Sequence, residues 1–229
     1  MSSTLRLLLG ALLLFPLALL AQKKGRANAP MEMSQLPVVP SLPDAFPQVV
    51  GTQAFGPAYK FTKDDAVLEA AKGISAMGSR LLKINAVSGQ QMTPYLAMPF
   101  THYVLWYRSN NEWTKGFTPE LKRREYNAMY MFAKDLLTRY DTAGKTFFLG
   151  HWEGDWYLLP DKDVKKDASP EVVAAMIEWL AVRQKAVDDA RSEVPYAKCR
   201  LYTYAEVNRV RDAMKDGRKR MVNAVLPKV

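Results

Sequence analysis

The densest chemistry in this sequence lies in one short run, His151-Trp152-Glu153-Gly154-Asp155-Trp156. Two carboxylates stand beside two indoles. Indole rings pack well against the apolar faces of sugars. A carboxyl group among apolar rings has its charged form desolvated, which raises its pKa and suits a general acid. If the backbone stays extended, His151, Glu153 and Asp155 share one face, and Trp152 and Trp156 share the other. A second acid arrives in Tyr204-Ala205-Glu206-Val207-Asn208. Hydrolysis of a glycosidic bond needs two carboxyl groups, one to protonate the leaving oxygen and one to attack the sugar or activate water. Glu153 and Glu206 are therefore the candidate catalytic pair. Trp152, Trp156, His151, Asp155, Asn208, His102 and Trp106 are the candidate substrate-binding residues. Each has a structural alternative: packing for the indoles, a salt bridge for Glu153, a hydrogen-bonded role for Glu206, a turn cap for Asp155.

These residues must be held by regular elements, and the chain alternates strand and helix signals. Val49 to Phe55, Arg80 to Asn85, Phe100 to Tyr107, Lys145 to Gly150, Cys199 to Val207 and Arg220 to Val225 read as strands. Helices are expected after Thr62-Lys63-Asp64-Asp65, after Thr118-Pro119-Glu120 to about Tyr140, after Ser169-Pro170-Glu171 to about Arg191, and from Asn208 to Lys215. The second and third openings combine a capping hydroxyl, proline in the first turn, and an acid near the positive helix end. Arg183-Gln184 interrupts the apolar face of the third long helix and fits a solvent-facing turn. About six strand–helix units predict an α/β fold with a parallel sheet. The preferred closure is an incomplete (β/α)8 TIM-barrel-like arrangement, and the alternative is an open doubly wound parallel sheet. Parallel α/β folds bind ligands at the carboxyl ends of their strands, which is where HWEGDW and YAEVN fall. No glycine-rich phosphate loop follows a strand.

The flanking segments are of another kind. Arg6 followed by the apolar run Leu7 to Ala21 reads as a signal peptide over residues 1–29, with an uncleaved anchor as the alternative. Residues 30–48 carry five prolines and read as an extended linker. The folded domain is expected over 49–229. Net charge is +9, but four basic residues and no acid lie in residues 1–29, so the remainder carries +5. The clusters Lys122-Arg123-Arg124 and Arg218-Lys219-Arg220 lack interleaved aromatics, so no nucleic-acid partner is expected. Cys199 is the only cysteine, so no internal disulfide forms. Two histidines are too few for a His-rich metal site, and no motif demands a metal or organic cofactor.

Phe148 to Trp156 (FLGHWEGDW), Trp179 to Arg191 (WLAVRQKAVDDAR) and Tyr204 to Val210 (YAEVNRV) resemble little-characterised β/α-barrel proteins of the glycoside-hydrolase superfamily that carry a WEGDW element. The resemblance spans roughly residues 49–229. It implies a protein acting on carbohydrate, with Glu153 at the strand-four position of the family's acid/base glutamate. The family usually has asparagine before that glutamate, where this chain has Trp152. The family nucleophile, at the end of strand seven, has no counterpart here, which implies a barrel truncated after its sixth strand. Three readings follow: an exported carbohydrate-active enzyme, a non-catalytic carbohydrate-binding barrel, or an inactive truncated fragment. The expected address is the cell envelope or the medium, with no stable membrane association after signal cleavage.

Overall fold

A computed structural model describes residues 51–54, 61–86, 90–107, 112–142 and 144–229. The expected signal peptide, the proline-rich linker and the flanks of the first strand, residues 49–50 and 55, lie outside the described residues.

Among the described residues, five strands form one all-parallel sheet in the order β1-β2-β3-β4-β5. They are β1 (Gly51–Ala54), β2 (Leu81–Ala86), β3 (His102–Tyr107), β4 (Thr146–Gly150) and β5 (Arg200–Thr203). The helices are α1 (Ala66–Ala76), α2 (Thr93–Leu96), α3 (Pro119–Arg139), α4 (Asp155–Leu158), α5 (Pro170–Glu193) and α6 (Val210–Asp216). The caps read from the sequence operate as hydrogen bonds. Thr118 accepts from the Leu121 amide, and Ser169 from the Val172 amide, each at 3.3 Å. At α1 the cap is Asp65, whose carboxylate accepts from the Val67 and Leu68 amides at 3.0 Å.

The sheet has two different faces, as strand alternation requires. Leu82, Tyr103, Phe147 and Leu201 stand in one register row, and Ile84, Leu105 and Leu149 in the next. All are buried among residues of α1, α3 and α5 in the main core. Burying a leucine or phenylalanine fully contributes about 1.5–3 kcal/mol, so these rows dominate the sheet's attachment to its helices. The opposite face carries the row Lys83, Val104, Phe148 and Tyr202, which is only partly covered. A second core lies beyond the strands' carboxyl ends, where Trp113, Leu158, Met176 and Trp179 meet Met221 and Val225.

Between α3 and α5, Arg183 is buried and donates to Glu125 Oε1 at 2.7 Å. It also donates to the carbonyls of Gly150 (2.8 Å) and Tyr107 (3.3 Å), tying the ends of β3 and β4 to α5. The solvent-facing role considered for Arg183 is therefore replaced by a buried one. Its break in the apolar helix face was the visible signal.

The expected sixth strand is not formed. Residues Met221–Val225 wind into a π-helical turn. Their apolar pair, Met221 and Val225, is spaced i, i+4, which fits a helical face, and both are fully buried. Arg220 anchors the turn: it is also fully buried and donates to the carbonyls of Val164 (2.7 Å) and Lys166 (3.2 Å). The fifth strand is shorter than expected, ending at Thr203 because the chain turns toward the second core.

Candidate functional site

The chain leaves β4 at Gly150 and does not stay extended. Glu153 takes φ 39° and α4 starts at Asp155. The expected sharing of one face by His151, Glu153 and Asp155 is thereby corrected. The turn is imposed from outside: the Gly154 amide donates to the Glu206 carbonyl at 2.9 Å. A Cβ on Gly154 would stand 1.9 Å from Met221 Sδ and 2.5 Å from His151 Cε1, so only glycine fits as the chain is packed. The left-handed conformation of Glu153 costs a non-glycine residue on the order of 1 kcal/mol and is held by these contacts.

The turn sorts the six residues into two groups. Trp152, Glu153 and Trp156 stay half-buried, while His151 and Asp155 are buried. Asp155 is fully buried and accepts three backbone amides: Asn208 (2.9 Å), Arg209 (3.0 Å) and Met221 (2.8 Å). It clamps three segments together. His151 Nε2 faces the Glu206 amide at 3.4 Å, and the ring packs against Tyr157, Trp179 and Tyr204. Burial holds its pKa down to about 3, helped by the Arg183 guanidinium and, less, by Lys83, against a backbone contact at Trp152. It is a neutral imidazole under ordinary conditions.

Half-buried groups gather around this turn. Trp106, near the end of β3, meets Trp152 with ring centroids 5.0 Å apart. Glu153 Oε2 accepts from the Trp156 indole N–H at 2.8 Å. Glu206 is paired with Lys83, Nζ to Oε2 2.7 Å, and the same ammonium lies 4.8 Å from the Trp152 ring centroid. Arg209 stands 5.7 Å from the Trp156 ring centroid and pairs with Asp212 at 2.9 Å. Both indoles thus carry a cation at their edge or face, and both glutamates lie on segments joined by the 154–206 backbone bond.

Lys83 and Arg209 were missed by sequence reasoning. Lys83 had a signal: in Leu82-Lys83-Ile84 it sits between two core residues and must point to the other face. Asn208 lies in this region through its backbone, which donates to Asp155, while its buried Oδ1 has no protein partner. His102 is not brought to the site. It opens β3, four residues before Trp106, which is about 13 Å along a strand, and bonds Thr101 Oγ1 at 2.9 Å.

Chemically, this cluster offers aromatic surface for an apolar ligand face and two carboxylates with one ammonium for its polar edge. Among the described residues, no group of His, Cys, Asp or Glu is placed to hold a metal ion, and no helix is long and apolar enough to cross a membrane. No protein-family model, curated protein or solved structure matches this chain.

Proposed function

We propose that this protein is exported and acts on carbohydrate at the carboxyl end of its sheet, with Glu153 as proton donor and Glu206 as the second carboxylate. The observation that carries the reading is the 2.9 Å bond from the Gly154 amide to the Glu206 carbonyl, which brings the two glutamate-bearing segments together beside Trp106, Trp152 and Trp156. Sugars need that combination of ring stacking and paired carboxyl groups. We propose further that the sheet is an arc of a β/α barrel. In support, the strand order runs from β1 to β5 without reversal, whereas a doubly wound sheet reverses at its switch point.

The test is hydrolysis of a panel of aryl glycosides by the wild-type protein and by Glu153→Gln and Glu206→Gln. Loss of turnover in Glu153→Gln by about 100-fold or more supports the proton-donor role. A panel untouched by the wild type, or turnover unchanged in Glu153→Gln, removes it. A second reading is favoured by the Lys83–Glu206 ion pair, which already engages one carboxylate: a carbohydrate-binding protein without catalysis. It predicts polysaccharide retardation in affinity electrophoresis that survives Glu153→Gln and is lost in Trp152→Ala.

A further inference from the structure

Among the described residues, five buried side-chain polar atoms have no hydrogen-bond partner in the protein: Trp113 Nε1, His151 Nδ1, Trp179 Nε1, Tyr204 Oη and Asn208 Oδ1. They are not scattered. Trp113 and Trp179 stack with ring centroids 5.0 Å apart, Trp179 and His151 stand 5.5 Å apart, and His151 and Tyr204 6.5 Å. Asn208 joins them through the Glu206 stretch: its backbone amide donates to Asp155, and the Glu206 amide, two residues earlier, faces His151 Nε2. All five belong to one region, where the carboxyl ends of β4 and β5 meet the second core.

Their chemistry is lopsided. Burial keeps the His151 ring neutral, and its Nε2 accepts from the Glu206 amide at 3.4 Å, so the ring's single proton sits on Nδ1. The Trp152 backbone lies near the ring yet completes no hydrogen bond to Nδ1. The two indole N–H groups can only donate. Three N–H groups and the Tyr204 hydroxyl are therefore donors, and they stand against two oxygens, that of Tyr204 and Asn208 Oδ1.

We infer that this region is a built internal water site, in which ordered waters accept from the Trp113, Trp179 and His151 N–H groups and donate to the Tyr204 oxygen and Asn208 Oδ1. Leaving a polar group buried and unpaired costs more than a typical hydrogen bond contributes, so five in one place call for a ligand. Water has the right size. Trp113, His151 and Trp179 are each 2% exposed, so nothing much larger reaches them while the chain is folded. Water also has the right valence, since it accepts and donates, as a mixed set requires. The consequence reaches the neighbouring glutamate. Water on Nδ1 holds the ring with Nε2 turned to the Glu206 amide, and so fixes the stretch that carries Glu206. His151 and its waters are positioning groups, whatever Glu206 itself does.

The test uses the full chain, isotope-labelled, with water-selective NOE and ROE spectra read at the two indole N–H groups, which Trp113→Phe and Trp179→Phe assign. Both indoles are expected to show water cross-peaks with NOE and ROE of opposite sign, the mark of water that tumbles with the protein. The peaks should persist in Tyr204→Phe, which removes the orphaned hydroxyl that could relay exchange. Long-range proton–nitrogen correlation is expected to find His151 Nδ1 protonated and Nε2 bare at neutral pH. Tyr204→Phe is expected to lower the urea midpoint, because it takes a partner from a bound water. In a dry site the same change removes an unsatisfied hydroxyl, and the midpoint stays level or rises. Indoles without water cross-peaks, the opposite His151 tautomer, or a Tyr204→Phe midpoint at or above wild type would each overturn the inference.

Discussion

Lys83 and Glu206 stand 123 residues apart in sequence, yet their side chains meet at 2.7 Å. One rises from β2 and the other from the chain just past β5, so the pair spans the open face of the sheet near its carboxyl end. Its two side chains are 19% and 22% exposed, between a surface pair and a buried one. Removing one partner should therefore cost about 1–2 kcal/mol, above the surface range and below the cost of breaking a fully buried pair. Urea unfolding of Lys83→Met, Glu206→Gln and the double variant measures this. A coupling energy near zero would mean that the two groups do not hold each other.

Asp155 should matter more than either. Its carboxylate is the shared acceptor for the amides of Asn208, Arg209 and Met221. Asparagine keeps the shape but turns an NH2 group toward at least one of those amides. We expect Asp155→Asn to destabilise the fold by about 3 kcal/mol, since hydrogen bonds to a charged group and an unsatisfied buried donor are both at stake. A midpoint within experimental scatter of wild type in urea would show that the three segments are held by something else.

These two residues also mark what a sequence can disclose. The caps at Thr118-Pro119 and Ser169-Pro170 are legible because their physics is contained in a few neighbouring residues; the alternation that turns Lys83 away from the core is just as local, yet it went unread. The carboxyl end of β4 was legible as a place but not as a shape. Extended alternation would have put Glu153 and Asp155 together, and the bond from Gly154 to a carbonyl 52 residues onward separates them. Met221 and Val225 fit a strand as well as a helix in sequence, because a short apolar stretch satisfies either period; burial against Trp113 and Trp179 decides for a helical turn. His102 and Trp106 share a strand, and only the direction of that strand shows that they serve opposite ends.

His151 gives the protein an acid-sensitive point. Its folded-state pKa is lowered from 6.5 to about 3, so the unfolded chain binds a proton more readily than the folded one. The sign follows: the stability cost is absent above about pH 6.5 and grows as pH falls from there toward 3. At pH 5 this one group should remove about 2 kcal/mol relative to pH 7.5. Urea midpoints at both pH values, compared between wild type and His151→Gln, isolate its share. An identical pH slope in the two proteins would refute the assignment.

Gly154 is helical in conformation, with φ −55° and ψ −29°, so alanine would suffer no backbone strain there. The obstacle is steric, chiefly the Met221 sulfur and His151 Cε1. Gly154→Ala should cost about 1–3 kcal/mol, the range for overpacking. Shortening Met221 removes the nearest atom, so Gly154→Ala with Met221→Ala should cost less than the sum of the two single changes. Strict additivity in thermal or urea unfolding would mean that the two positions do not collide.

Glu153 separates scaffold from chemistry. Glycine at 153 relieves the left-handed backbone at a gain of about 1 kcal/mol, and loses the acceptor for the Trp156 indole at a cost of about 0.5–1.5 kcal/mol. The two nearly cancel. Glu153→Gln keeps both the backbone conformation and an acceptor oxygen. Both variants should therefore unfold within about 1 kcal/mol of wild type. If Glu153 is the proton donor, both lose turnover while remaining folded, which no change at Asp155 or Gly154 could achieve. If instead Glu153→Gln unfolds more than about 2 kcal/mol early, the carboxylate is part of the scaffold, and the proton donor must be sought elsewhere in this cluster.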